Sequence, residues 1–211
     1  MPRSLRDRAA RSLKGGFWFP LFQRLVAFLY SRFSLGFHFK NWLTVGDEAP
    51  RGAAELYQAL VILLAAFLFV LVSPSPRTPP PQWLMTVAGV TAAYFIGDLL
   101  VFSLHWTFVA NRKLKSYRRS LATFLVNLVV ELPLLFTVLF SAAGCFTPAH
   151  SPWSALYSIL TAVLSLQLPA VGTQQLCQAV AHYQVLVAVV VLGIIVASIV
   201  GAVIRDEKPA E

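Results

Sequence analysis

The chain has 211 residues, of which 57% are hydrophobic and only 12% charged. A water-soluble domain of this length covers its surface with charge, so this composition excludes one, and the long charge-free runs suit lipid-facing helices. The formal net charge of +8 would suit nucleic acid, but the lysines and arginines cluster at the ends of apolar runs. That placement points to a bilayer with anionic headgroups and to no nucleic acid.

The first element is FWFPLFQRLVAFLYSRF, Phe17 to Phe33. Pro20 stands near a first turn, and Arg24 and Arg32 fall among Leu21, Phe22, Leu25, Phe28, Leu29 and Phe33. The segment is too short and too charged to span, and it predicts an amphipathic helix lying in the cytoplasmic interface. Arg24 would interrupt the apolar region of a signal peptide, and no A-x-A-like site follows.

Four spans come next. Leu56 to Ser73 reaches roughly 27 Å at about 1.5 Å per residue, close to the hydrocarbon thickness. Ser73-Pro74 and the run PSPRTPPP stop it, because proline lacks an N–H and restricts the residue before it. The second span runs from about Trp83 to Trp106, the third from about Leu121 to Ala142 and the fourth from about Val185 to Ile204. Between the last two lies Trp153 to Leu168, which is shorter and carries Ser154, Ser158, Thr161 and Ser165 along one helical face. That length and polarity predict a re-entrant segment.

Charge orients these elements. The region before Leu56 holds nine lysines and arginines, from Arg3 to Arg51. The next connection has only Arg77, and the one after the second span has Arg112, Lys113, Lys115, Arg118 and Arg119. The connection from Gly144 to Tyr183 has none. The positive-inside rule then gives four crossings with both termini cytoplasmic. The expected fold is an all-α polytopic membrane protein with four transmembrane helices, a re-entrant pore-like helix between the third and fourth, and an N-terminal interfacial amphipathic helix. Its parts are a basic N-terminus (1–52), the first two transmembrane helices (53–115), a helix, loop and helix unit (116–206) and a cytoplasmic tail (207–211).

Inside the spans, Asp98 and Glu131 are carboxylates at a depth where insertion costs about 2.5–3.5 kcal/mol, so each is expected to face a partner or a cavity. Thr123 and Asn127 share the face of Glu131, and Pro133 frees the carbonyl of Val129, which predicts a kink beside the carboxylate. Asp98 shares a face with Thr91, Tyr94 and His105. Two readings stand: an ion or proton path along facing polar stripes, or interhelical hydrogen bonding with both acids protonated. Gly89, Ala93 and Gly97 in the second span, and Gly193, Ala197 and Gly201 in the fourth, recur at four-residue intervals and predict strips where another helix approaches closely. Cys145 and Cys177 flank the short segment on the outer side. An oxidising compartment would allow a disulfide between them, and two free thiols are the alternative. His38, His105, His150 and His182 lack metal-ligand spacing, and no cofactor or enzyme motif is recognisable.

From about Ser116 onward the chain resembles bacterial ion channels of the two-transmembrane-helix and pore-loop, potassium-channel-like family. SYRRSLATFLVNLVVELPLLFTVLF resembles their outer helix. SPWSALYSILTAVLSL resembles their pore helix, with Ser151 as N-cap and Pro152 at the first helical position. YQVLVAVVVLGIIVASIVGAVIRD resembles their inner helix. The resemblance implies a bacterial inner (plasma) membrane location, a homo-oligomer that would be a tetramer, and a hinge at Gly193. It also implies that Thr161, Ser165, Leu166, Gln167, Leu168 and Pro169 occupy the pore loop. Potassium filters of the TVGYG type use glycines to aim successive carbonyls at one axis, and Ser165-Leu166-Gln167-Leu168-Pro169 has none. The expected function is a channel-like protein that is not potassium-selective and that has altered or lost conduction. A membrane scaffold or accessory subunit is the alternative, and a small proton-coupled transporter using Asp98 and Glu131 is a second one.

Overall fold

In the computed structural model, residues 18–43, 52–73, 80–108, 117–146 and 151–206 are described. The basic stretch before Trp18, the Pro-rich run, the linker holding Arg112 to Lys115, His150 and the tail from Glu207 lie outside them. Among the described residues every regular element is a helix. Four of these helices are long and apolar enough to cross a membrane: Ala53–Val72, Gln82–His105, Leu121–Ala142 and Gln175–Ala197. The chain is an integral membrane protein.

The N-terminal segment forms two helices, α1 (Trp18–Phe33) and α2 (Leu35–Leu43), broken at the buried Ser34. The Ser34 hydroxyl accepts from the Phe37 N–H at 3.3 Å, so it caps α2. The pair is not an isolated surface helix. α1 packs along the second span and α2 along the first. Tyr30 stacks on His105 with ring centroids 3.9 Å apart, and Tyr94 donates to the Phe33 carbonyl at 2.6 Å. Phe19, Leu21, Phe22, Leu25 and Phe28 remain exposed on the outer side of α1.

Helix α3 (Ala53–Val72) is the first span. It ends at Ser73, whose extended backbone is what a following proline imposes. The Ser73 hydroxyl donates to the Phe69 carbonyl at 2.6 Å, which satisfies a carbonyl of the last turn. Helix α4 (Gln82–Phe108) follows and packs on α3. Its buried stripe is Ala88, Ala92, Ile96, Leu99 and Ser103, one position away from the Gly89, Ala93, Gly97 strip that sequence spacing favours. Gly89 meets another helix, since a Cβ there would stand 3.1 Å from the Ala142 Cβ, whereas one at Gly97 would meet nothing within 4 Å and Ala93 is exposed.

The third span is α5 (Tyr117–Val126), a five-residue π-helical turn (Asn127–Glu131) and α6 (Leu132–Ala142). Where a kink is expected, the helix carries this π turn. Pro133 has no N–H and its ring crowds the carbonyl four residues back, so the hydrogen-bond ladder slips by one residue and the Leu132 N–H bonds the Asn127 carbonyl. α6 is the core of the molecule, with Leu132, Leu135, Phe136, Val138 and Phe140 buried. It ends at Gly144, whose φ of 69° lets the Cys145 N–H reach back to the Phe140 carbonyl at 2.9 Å.

The fourth span, α8 (Gln175–Asp206), starts well before the Val185 expected from hydropathy. The run QLCQAVAHYQ looks polar, but Cys177, Ala181, Gln184, Ala188 and Val191 fall on one buried face of a continuous helix. Helix α7 (Pro152–Ser165) lies between the third and fourth spans in sequence and packs on α6, on the π turn and on α8.

Candidate functional site

Two regions gather the polar residues. The first is the segment from Cys145 to Cys177. Ser151 caps α7, its hydroxyl accepting from the Ser154 N–H at 3.1 Å, and Pro152 stands in the first turn. Trp153 meets Phe69 near the end of α3, with ring centroids 5.8 Å apart. Deeper along α7, the buried Gln184 of α8 reaches the Ile159 carbonyl at 3.5 Å. Helix α7 stops at Leu166, which adopts the left-handed conformation at φ 55° and ψ 34°, and the Gln167 N–H bonds the Ala162 carbonyl at 3.1 Å. For a leucine this conformation costs roughly 1–2 kcal/mol.

Beyond Leu166 the chain has no helix until Gln175. Gln167 and Leu168 are exposed and Pro169 is buried. The Gly172 N–H bonds the Cys145 carbonyl at 3.1 Å, and Gln178 donates to the Gly172 carbonyl at 3.3 Å. Cys145 and Cys177 form a disulfide with Cα atoms 5.5 Å apart, so the end of α6 and the start of α8 are fastened together. Three of the hydroxyl residues of α7, Ser154, Thr161 and Ser165, are exposed, each donating to a carbonyl three or four residues back, while Ser158 is half-buried. Gly193 and Ala197 of α8 are also exposed, and a Cβ at Gly193 would meet nothing within 4 Å. The surroundings of Gly201 lie outside the described side chains.

The second region is buried among α3, α4 and the π turn. Asp98, Asn127 and Glu131 are 6%, 4% and 5% exposed. Tyr57 of α3 donates to Asp98 Oδ2. Its neighbour Gln58 donates to Asn127 Oδ1 and, at 3.1 Å, to the Thr123 carbonyl. The Asn127 amide lies 2.9 Å from Glu131 Oε2, and the two carboxyl groups are within electrostatic range of each other. Asp98 Oδ1 has no hydrogen-bond partner among the described residues. Thus the three intramembrane polar residues singled out from sequence come together, but their partners Tyr57 and Gln58 were missed. The signal was present: two hydrogen-bonding side chains in adjacent positions at the start of an otherwise aliphatic span need partners. His105, expected on the Asp98 face, stacks on Tyr30.

Among the described residues no group of three or more His, Cys, Asp or Glu side chains could hold a metal ion. Compared with known proteins, the chain matches no family model, no curated protein and no solved structure.

Proposed function

We propose that the chain is a channel-like integral membrane protein in which the segment from Pro152 to Pro169 enters the bilayer from the outer face and returns to it. The observation that carries this reading is the closed path from Cys145 to Cys177. The two ends of the path are fastened by the disulfide, while α7 between them packs as far down as the π turn. A chain that enters and leaves at one point, yet reaches the middle of a span, follows the course of a pore loop. The left-handed Leu166 adds support, because strained backbone concentrates at functional turns.

The exposed Ser154, Thr161, Ser165, Gln167 and Gly193 favour assembly of identical chains around this surface, with a tetramer as the family resemblance implies. Such an assembly would not prefer potassium: Leu166, Gln167, Leu168 and Pro169 supply no glycine backbone for a ring of carbonyls, and the two leucines favour dewetting. The amphipathic α1 then rests at the cytoplasmic interface with its exposed phenylalanines toward lipid, and both termini are cytoplasmic. The experiment is labelling of single cysteines introduced into the wild type, whose bridged Cys145 and Cys177 do not react with a maleimide, combined with planar-bilayer recording of the wild type. Thr147 and Thr173 should label from outside only, with no potassium-selective current. Labelling of the two positions from opposite faces would overturn the re-entrant course, and a potassium reversal potential would overturn the assignment of the filter position.

A further inference from the structure

The groove between α2 and α3 belongs to neither of the polar regions. Its volume is about 370 Å³. One face of each helix lines it, at positions i, i+3, i+4 and i+7, from Leu35 to Trp42 on α2 and from Tyr57 to Leu64 on α3, with Phe95 of α4 beside them. The two helices come together next to it: a Cβ at Gly36 would stand 3.1 Å from the Tyr57 ring, and the Phe39 and Tyr57 ring centroids are 5.7 Å apart. The packing nonetheless stops short of closing. A gap of this size left empty forfeits the dispersion contacts of its walls, and its volume falls in the range of small-molecule sites.

The walls and the surroundings of the groove select its occupant. None of the nine lining residues is a lysine, arginine, aspartate or glutamate, and the Tyr57 hydroxyl is committed to Asp98. Such walls fit an uncharged ligand, and water finds few partners on them. Tyr57 to Leu64 lie within the span Ala53–Val72, where the medium is hydrocarbon. The groove is continuous with that medium: Leu60 lines it and also stands in the row Leu56, Leu60, Leu63, Phe67 and Val70, all exposed on α3. The lining follows α3 from Tyr57 to Leu64, about 10 Å at the rise of an α-helix, a course that suits a chain laid along it.

We propose that this groove is a site for one acyl chain of a bilayer phospholipid, which enters it sideways from the exposed row of α3. The acyl chain fills the gap that the side chains leave, meets Phe39 of α2 and Leu64 of α3 at once, and so joins the N-terminal helix pair to the first span. It differs from lipid around the rest of the molecule in having walls on two sides. Phe39 and Leu64 are half-buried, whereas Val87 and Val90 of α4 are 52% and 67% exposed. Bulk lipid meets residues in order of their exposure, and a seated chain reverses that order. No residue of α7 or α8 lines the groove, so the site stands or falls apart from the channel reading.

Photo-crosslinking of the full chain in nanodiscs tests the proposal, with a phosphatidylcholine that carries a diazirine on its acyl chain and peptide mass spectrometry as the readout. Yields at Phe39 and Leu64 should exceed those at Val87 and Val90 severalfold. Leu60→Trp, which sets an indole in the mouth of the groove, should lower the yields at Phe39 and Leu64 severalfold and leave those at Val87 and Val90 unchanged. Yields that follow exposure, highest at Val90 and lowest at Phe39 and Leu64, would overturn the proposal, because the groove would then hold only passing lipid. Undiminished yields at Phe39 and Leu64 in a folded Leu60→Trp would overturn it too. So would an unlabelled groove in a wild type that crosslinks as a dimer through α2, since a second copy would then occupy it. The first comparison is made within the wild type, so a misfolded Leu60→Trp leaves the test intact.

Discussion

The hydroxyls of α7 and the amides of the π-turn cluster are polar groups in the same apolar molecule, and they are satisfied in opposite ways. Ser154, Thr161 and Ser165 each bond a carbonyl of their own helix three or four residues back. Tyr57, Gln58 and Asn127 bond across helices, from α3 to α4 and from α3 to the π turn. A locally satisfied hydroxyl says nothing about which helix lies beside it, so it leaves its face free for another chain. A cross-helix amide fixes one neighbour in one register. The first region is held by packing, by the Gln184 bond to Ile159 and by a covalent closure, and the second by hydrogen bonds between side chains of different helices.

The largest effect expected from this contrast follows loss of that closure. Cys145→Ser opens a loop with a sequence separation of 32, and chain-entropy arithmetic gives a loss of about 3–4 kcal/mol. Denaturant titration in micelles, with reductant applied to the wild type as a control, reads it. A loss below about 1 kcal/mol, as expected of an ordinary surface change, would mean that packing on α6 alone positions α7.

Small residues sharpen the same comparison. Gly89→Val pushes a side chain toward the Ala142 Cβ, which already stands 3.1 Å from a Cβ at that position. Overpacking of this kind costs about 1–3 kcal/mol. Gly193→Val projects into open space and should leave the stability of the single chain unchanged while weakening self-association. Equal effects of the two on thermal unfolding, with association unaltered, would remove the distinction between inward and outward strips.

Asn127→Leu comes next. It removes the acceptor of Gln58 inside the membrane, with an expected cost of about 1–2 kcal/mol. The companion Gln58→Leu should cost less in that background than in the wild type, because the shared bond is already lost and only the bond to the Thr123 carbonyl remains to be broken. Additive losses in that cycle would show that the amides act separately. The smallest effect belongs to Thr161→Val. Its hydroxyl bonds only the Tyr157 and Ser158 carbonyls of its own helix, so stability should change by less than about 0.5 kcal/mol. A larger loss in the monomer would mean that this face is already engaged.

Much of the fold was legible because span length and charge-free runs are physical requirements of a bilayer. Ala53–Val72 and Leu121–Ala142 lie within a few residues of their expected limits for that reason. The start of α8 was not legible. Gln175, Gln178 and Gln184 lower the hydropathy of a stretch whose buried face is nonetheless continuous. The π turn was half legible: Pro133 announced a disturbed ladder but not the extra residue that absorbs it. The break at Ser34 and the packing of α1 on α4 were hidden, since both depend on side chains from another helix, such as Tyr94. In the cluster, Asp98, Asn127 and Glu131 were visible because each is costly alone. Tyr57 and Gln58 were overlooked because they stand at the edge of a span, where such residues need no explanation.

The disulfide also has a place in time. Cys145 closely follows α6 and Cys177 lies in the first turn of α8, so the bond cannot close until the chain has been made as far as Cys177 and brought beside the end of the third span. Until then α7 has a fixed start and no fixed return. Oxidation of the pair is therefore a late event in biogenesis, and a mixture of bridged and unbridged chains would record how many molecules had finished assembling.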